Sequence, residues 1–296
     1  MNNRYVGLVY FSGTGGTRMI TEAIDLILKG KGCETWIFPL DYQINRSFIM
    51  NREVLQKTDF LFVLYPVHAF DAPKPIYEWI EGLPDGAMKK TIVLSVSGGG
   101  DVAPNKHSRS LCIQALEEKS YQVMYERMLV MPSNFAVTAS DDMNMWLLKS
   151  ISSKVNQIVT EIMVNKTRRI EIGDEERQSK SIFQRLQPPV DRFGLSLFAS
   201  EACNSCGWCA ARCPRLNISM VDGRPVFSDQ CIMCMRCVYG CPQNAIESEK
   251  YGFAIVKTGF DLIALEEKMK DRVLKPIEDL EGGILWFGVK RYLLEE

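Results

Sequence analysis

The sequence lacks three features that would assign it to other classes of protein. No apolar run approaches the roughly 20 residues that a membrane-spanning helix needs. Basic residues are not in excess, since 35 Lys and Arg balance 36 Asp and Glu, so the charge does not favour nucleic acid or an anionic membrane as a partner. The opening residues, MNNRYVGLVYF, lack the charged segment and cleavage site of a secretory signal. We therefore expect a cytoplasmic protein without a membrane span.

Cysteine is abundant but unevenly distributed. Eight of the ten cysteines lie in two stretches, CNSCGWCAARCP from Cys203 and CIMCMRCVYGCP from Cys231. Both stretches have the same cysteine spacing and lie 28 positions apart, so two copies of one small unit account for them. In the cytoplasm, clustered cysteines bind metals or carry redox chemistry more often than they form structural disulfides.

The spacing within each stretch is that of the bacterial [4Fe–4S] motif, whose fourth cysteine ligates the other cluster. It predicts two clusters with crossed ligand sets, which are Cys203, Cys206, Cys209 and Cys241 for cluster 1, and Cys231, Cys234, Cys237 and Cys213 for cluster 2. Zinc is the alternative, but structural zinc sites use paired cysteines, often with His, and no His lies nearby. The stretch resembles the two-cluster bacterial ferredoxins along its whole length. Trp208 and Tyr239 either shield the clusters or simply pack, and the isolated Cys33 and Cys112 are expected to be buried small hydrophobic residues.

The first half of the chain alternates between apolar runs and helix-like segments. Five runs are predicted to be buried strands, covering Tyr5–Phe11, a segment from Glu34, Thr58–Val67, Lys89–Ser97 and Tyr121–Pro132. Strands that are apolar on both faces and alternate with helices indicate an open parallel α/β sheet covered on each side. We divide the chain into a domain at 1–165, a linker at 166–196 that is partly helical near Ser181–Leu186, a cysteine domain at 197–248 and a C-terminal extension at 249–296. The extension contains a helix-like run, FDLIALEEKMKDRVLKPIEDL.

The loop after the first strand is rich in glycine and hydroxyl groups. It reads SGTGGT, and the next helix is predicted to begin near Thr17. Backbone N–H groups at a helix N-terminus bind anions, and the absence of Lys excludes a nucleotide-hydrolysing P-loop. We predict a phosphate site formed by Ser12, Gly13, Thr14, Gly15, Gly16 and Thr17, with a plain hydroxyl-capped turn as the alternative.

The arrangement Ser-x-Thr-Gly-x-Thr is similar to the FMN phosphate loop of flavodoxins. Over residues 1–165 and 197–248 the chain resembles the flavodoxin–ferredoxin fusions of anaerobes. The resemblance implies a flavodoxin-like, doubly wound, five-stranded parallel sheet, followed by a small α+β ferredoxin-like two-cluster domain and a C-terminal helical extension. In this strand order the ligand lies outside the carboxyl ends of the strands.

The same resemblance implies that the loops after the third, fourth and fifth strands hold the isoalloxazine ring of FMN. His68 and Phe70 would stack on the ring or flank it, the backbone near Ala69 would meet N5, and the glycine N–H groups would reach the N1/O2 edge. The chain has no glycine between Pro66 and Asp71. The alternatives are that Phe70 belongs to the core, Asp101 caps a turn and His68 lies on the surface. The full set of ring candidates is Pro66, Val67, His68, Ala69, Phe70, Ser97, Gly98, Gly99, Gly100, Asp101 and Asn134.

These cofactors indicate an electron-transfer protein. FMN exchanges one or two electrons and each cluster exchanges one, so the expected function is a relay between FMN, two [4Fe–4S] clusters and partner redox proteins, with a homodimer left open. The alternative is an FMN-dependent reductase of a small substrate, with His68 as its proton donor. A third hypothesis is a scaffold subunit that uses the aromatic tail for interactions. A closed ring edge would favour the carrier, and an open pocket with His68 and Asp101 would favour the reductase.

Overall fold

The computed structural model describes residues 4–41, 52–171 and 190–295. The N-terminal half is a five-stranded parallel sheet in the order β2-β1-β3-β4-β5, which is the flavodoxin-like doubly wound order. The predicted α/β fold class is therefore confirmed. The strands are β1 (Tyr5–Tyr10), β2 (Glu34–Pro39), β3 (Phe60–Pro66), β4 (Lys90–Ser97) and β5 (Gln122–Val130). The helices are α1 (Gly16–Gly30), α2 (Arg52–Lys57), α3 (Lys74–Glu81), α4 (Ser110–Glu118) and α5 (Asp141–Met163).

The sheet is covered by helices on both faces because its central strands are apolar on both sides. Side chains from alternate positions of β3 enter two separate cores: Phe62 and Leu64 pack with α1 and α5, whereas Leu61 and Val63 pack with α3 and α4. The parallel register brings the loops after β1, β3, β4 and β5 to the same edge of the sheet. This edge is where the ligand of a doubly wound sheet binds.

The cysteine region folds around a small core of its own. Its elements are α6 (Val190–Leu195), β6 (Leu197–Ala199), α7 (Trp208–Arg212), β7 (Ile218–Val221), β8 (Arg224–Phe227), α8 (Arg236–Tyr239) and β9 (Ile246–Ser248). Strands β6 and β9 pair antiparallel, as do β7 and β8. The first and last strands thus join the two cysteine repeats, and the core holds side chains from both, including Cys209 and Val238.

Two segments differ in detail from the sequence-based expectation. The predicted linker contains α6, and its residue Arg168 extends the sheet edge by a bridge to Tyr125; the helix predicted near Ser181–Leu186 lies outside the described residues. In the extension, the long predicted helix is limited to α9 (Leu262–Met269), followed by a second helix, α10 (Phe287–Leu294). The longer helix was wrong because Pro276 cannot continue a helix, and Val273, before it, is 98% exposed.

The longest helix of the described ranges is α5, which is amphipathic and capped by Ser140. Its buried stripe, including Leu147, Val155 and Ile162, faces the sheet. Within the ranges described, no helix is both long and apolar enough to cross a bilayer.

Candidate cofactor site

The loop predicted to bind phosphate leads directly into α1. Gly15 has a left-handed φ of 106°, and a side chain at this position would meet no atom within 4 Å. The Ser12 hydroxyl accepts a hydrogen bond from the Arg18 amide at 3.3 Å, and the Thr14 hydroxyl accepts one from Asn134 Nδ2 at 2.7 Å. The first amides of a helix have no partner within the helix, so an open glycine turn at the start of the 15-residue α1 suits a phosphate group.

A cavity of about 340 Å³ lies next to this loop at the carboxyl edge of the sheet. Its volume is at the low end of the roughly 300–1,000 Å³ typical of small-molecule sites. Most ring candidates line this cavity, namely Val67, His68, Ala69, Phe70, Ser97, Gly98, Gly99 and Asn134. The phosphate-loop residues do not line it, and Asn134 connects the two parts through its bond to Thr14. The arrangement fits a planar ring system with a phosphate at one side.

The cavity loop after β3 is a strained two-residue hairpin. His68 and Asp71 exchange both backbone hydrogen bonds at 2.9 Å, and the two residues between them, Ala69 and Phe70, have φ values of 48° and 65°. Such turns need positive φ at both central positions and normally use Gly or Asn. Left-handed backbone at residues with a Cβ costs about 1–2 kcal/mol each and is concentrated at ligand sites.

His68 is half-buried at this cavity, so it is not simply a surface residue. Its ring packs edge-on to Phe11, with 6.1 Å between centroids. Burial lowers its pKa to about 4, although a hydrogen bond to the Ile232 backbone acts in the opposite direction. The imidazole is therefore neutral at pH 7, which does not suit the imidazolium proton donor expected for a reductase.

Three ring candidates lie outside the cavity lining, and Asp101 has a different role. Its carboxylate accepts a hydrogen bond at 3.3 Å from Arg109, which is fully buried and also donates to Glu126 at 3.0 Å and Ser95 at 2.8 Å. Asp101 thus anchors the glycine loop to β4 and β5 and does not face the cavity. Gly100 packs against α10, and Pro66 ends β3.

Several residues that line the cavity were not among the candidates predicted from the sequence. Asn105 lies beyond the glycine loop and donates to the Gly100 carbonyl at 3.2 Å. The others are Ser133 and residues 135–137 after β5, Val190 of α6, Met233 and Met235 between the cysteines, and Leu285 and Trp286 of the extension. Position after a strand could have indicated residues 133–137, whereas the last five come from distant segments without a local signal.

The four cysteines predicted for cluster 2 line one small apolar cavity together with Phe193, Leu197 and Ile218. Burial, together with the like charges of Cys234 and Cys213, raises the pKa of Cys231 to about 12. Cys213 belongs to the first repeat, so the fold brings the fourth cysteine of one copy to the first three of the other. Four converging thiols in an apolar pocket suit a [4Fe–4S] cluster.

The cysteines predicted for cluster 1 show the reciprocal arrangement. Burial raises the pKa of Cys209, and Cys241 and Cys203 add to the shift as neighbouring charges. Cys206 is exposed. Across the described residues, no group of three or more Cys, His, Asp or Glu side chains has the spacing of a single-ion site. The remaining cysteines, Cys33 and Cys112, are both buried.

Comparison with known proteins agrees with the geometry of the cysteine region. The family described as "4Fe-4S dicluster domain" matches residues 196–252, which include all eight clustered cysteines. The chain thus joins a flavodoxin-like domain to a small ferredoxin-like region that matches this family. No curated protein sequence matches it.

Solved structures similar to this chain cover its flavodoxin-like domain. A flavodoxin from the domain Archaea is 14% identical, with a TM-score of 0.35, over 54% of this chain and 99% of its own. A Fusobacterium nucleatum flavodoxin variant bound to flavin mononucleotide is 15% identical, with a TM-score of 0.39, over 56% and 98%. The general stress protein 14 of Treponema denticola, in complex with FMN, is 6% identical, with a TM-score of 0.41, over 55% and 99%. The assignment of the flavodoxin-like fold rests on the strand order of the sheet.

The ferredoxin domain packs directly on the phosphate loop of the flavodoxin-like domain. A Cβ at Gly13 would lie 2.3 Å from the Cys234 carbonyl oxygen, so only glycine permits this approach. Arg236 donates to the Ser12 carbonyl at 2.7 Å and the Gly13 carbonyl at 3.2 Å, and it pairs with Asp41. The loop that carries Cys234 is thus joined to the phosphate loop by close backbone packing, by hydrogen bonds from Arg236 and by its ion pair with Asp41.

A second contact between the two domains lies beside the cavity. The Tyr239 hydroxyl donates to the Asn134 carbonyl at 2.8 Å and accepts from the Val256 amide at 2.8 Å. Tyr239 therefore links α8 to the loop after β5, and its role is in packing between domains. The Ala136 amide also donates to the Ala254 carbonyl at 2.9 Å.

Proposed function

We propose that this protein is an electron carrier that holds FMN and two [4Fe–4S] clusters and exchanges electrons with partner redox proteins. One observation carries the proposal: Met233 and Met235, from the loop that bears Cys231, Cys234 and Cys237, form a wall of the cavity lined by the strand-edge loops. The predicted flavin site and the predicted cluster 2 site therefore share a boundary within one chain.

The residues at each site suit the group that they would hold. The turn from Ser12 to Thr17 and the N-terminus of α1 would bind the FMN phosphate, and the cavity residues from Val67 to Phe70 and from Ser97 to Gly99 would enclose the ring. The two crossed cysteine sets would each hold one cluster. When bound, FMN exchanges one or two electrons and each cluster exchanges one.

The two cysteine sets differ in solvent exposure, and this difference suggests which cluster a partner protein would approach. Cys213 and Cys234 of the cluster 2 set are buried, and the backbone of Cys234 contacts the phosphate loop. Cys206 of the cluster 1 set is exposed. We infer that cluster 2 lies on the flavin side and that a partner redox protein approaches the surface around Cys206.

The carrier is favoured over a reductase by the walls of the cavity. Its lining comes from the sheet edge, the ferredoxin domain and the C-terminal extension, so a ring held there would border the ferredoxin domain directly. Asp101, the acidic candidate for a reductase, is held by Arg109, and the pKa of His68 is lowered to about 4. The extension packs on its own chain, which argues against a tail reserved for a scaffold role.

Anaerobic reconstitution tests the proposal. The purified chain should bind about eight irons and one flavin per molecule, and the flavin released on denaturation should be FMN. About four irons, or no bound flavin, would contradict it.

A further inference from the structure

We propose that Trp286 is a ring-contacting residue of the flavin site and that the C-terminal segment Leu285–Leu294 holds it in position. We call this segment the C-terminal wall. The inference rests on the proposed function, because it assumes that the cavity at the sheet edge holds the isoalloxazine ring. It adds a binding residue that lies about 150 positions from the loop after β5.

The position of Trp286 at the cavity carries the inference. Leu285 and Trp286 line the same space as His68, Phe70 and Gly98. The Trp286 amide donates to the Gly283 carbonyl at 3.2 Å, in a turn where Gly283 has a φ of 82°. Trp286 is half-buried, whereas the next residue, Phe287, is 59% exposed. An indole in the wall of this cavity offers a large aromatic surface to a planar ligand.

The C-terminal wall is fixed to the glycine loop by close backbone contact. A Cβ on Gly100 would lie 2.4 Å from the Gly288 carbonyl carbon, and a Cβ on Gly288 would lie 2.6 Å from the Gly99 carbonyl oxygen. Arg291 also donates to the Asp101 carbonyl at 2.8 Å. The loop predicted to meet the flavin N1/O2 edge therefore supports the segment that presents Trp286.

The other face of α10 is anchored in the flavodoxin-like domain. Val289 and Tyr292 are buried beside Val130 and Met143, and the Lys154 ammonium lies 4.9 Å from the centre of the Tyr292 ring. Upstream, Glu281 accepts hydrogen bonds from the Ser140 amide and hydroxyl. Contacts on both faces make this segment a fixed side of the cavity.

The cavity also borders the ferredoxin domain. Trp286 lines it together with Met233 and Met235, so a ring held there would contact both the C-terminal wall and the loop that carries the cluster 2 cysteines.

Two pairs of variants test the proposal by flavin binding, which does not depend on activity. Trp286→Leu removes the indole from the cavity, and Phe287→Leu is its exposed neighbour and control. Gly288→Ala forces α10 away from the Gly99 carbonyl, and Gly282→Ala is its control, because a Cβ there meets nothing within 4 Å. Circular dichroism verifies that each variant is folded, and quenching of FMN fluorescence during titration gives the dissociation constant.

We expect Trp286→Leu and Gly288→Ala to raise the FMN dissociation constant about tenfold, the size expected when one aromatic contact is lost. The two controls should stay within about twofold of the parent protein. If the parent binds FMN and Trp286→Leu binds it as tightly as Phe287→Leu does, the role of Trp286 is refuted while the proposed function stands. If the parent protein binds no FMN, both are refuted.

Discussion

Arg236 is predicted to couple the ferredoxin domain to the phosphate loop, and its removal should separate the two domains. Its guanidinium donates to the Ser12, Gly13 and Arg212 carbonyls and pairs with Asp41. The Arg236 and Asp41 side chains are only 20% and 15% exposed. Arg236→Ala would therefore remove the ion pair from a largely buried carboxylate and the side-chain donor from the Ser12 and Gly13 carbonyls.

The magnitude follows from these partners. Hydrogen bonds to charged groups contribute about 1.5–3 kcal/mol each, and removing one partner of a buried ion pair costs about 3–5 kcal/mol. Because the pair retains some solvent contact and water can reach the exposed edge, we expect Arg236→Ala to lower the free energy of unfolding by about 2–4 kcal/mol. Arg236→Lys should recover part of this loss, since Lys keeps the charge but not the planar fork of donors.

Urea unfolding of the holo-protein under anaerobic conditions, followed by circular dichroism, measures the effect. Besides the loss of stability, the transitions of the two domains should lie further apart in Arg236→Ala than in the parent protein, because the domains then unfold independently. Arg18→Ala is the control, because the Arg18 side chain is 54% exposed and pairs at 3.7 Å with Glu22 on the surface, so its loss should cost less than about 0.5 kcal/mol. Equal unfolding free energies for Arg236→Ala and Arg18→Ala would refute the coupling.

Three further predictions concern ligands, strain and cofactor coupling. Cys241→Ala should lower bound iron from about eight towards about four per chain, whereas Cys112→Ala should keep all of it; full iron in Cys241→Ala would contradict the crossed sets. Ala69→Gly should raise the free energy of unfolding by about 1 kcal/mol by relieving left-handed strain, while Ala72→Gly should lower it; a loss of thermal stability in Ala69→Gly would show that the hairpin is unstrained. Removing iron with a chelator should weaken FMN binding because the cluster loop forms a wall of the cavity, and an unchanged dissociation constant would argue against that wall.

The features that the sequence predicted well are those encoded by local pattern. Apolar runs such as β3 alternate with amphipathic helices, and this period decides the fold class. Each cysteine repeat carries four cysteines, and its spacing implies crossed sets because the fourth cysteine of this motif, here Cys213 or Cys241, ligates the other cluster. The glycine and hydroxyl content before α1 predicts the turn that leads into this helix, and anion binding there stays a prediction.

The features that the sequence did not predict depend on contacts between distant segments. Asp101 lies in a loop expected to contact the ring, but its carboxylate pairs with the buried Arg109. No pattern in the sequence predicts this pair. Met235 and Trp286 line the cavity only because the ferredoxin domain and the extension fold back onto the sheet edge. The hairpin at Ala69 has positive φ without glycine, so its turn chemistry gives no signal.

The central claim is that the flavin and cluster 2 sites adjoin within a single chain. Its most direct test is the rate at which electrons redistribute between bound flavin and the iron–sulfur clusters after a reducing laser flash, measured at several protein concentrations. We predict a first-order rate that is independent of protein concentration, as transfer within one molecule requires. A rate that rises in proportion to concentration would contradict the claim, because it would mean that electrons pass between separate chains.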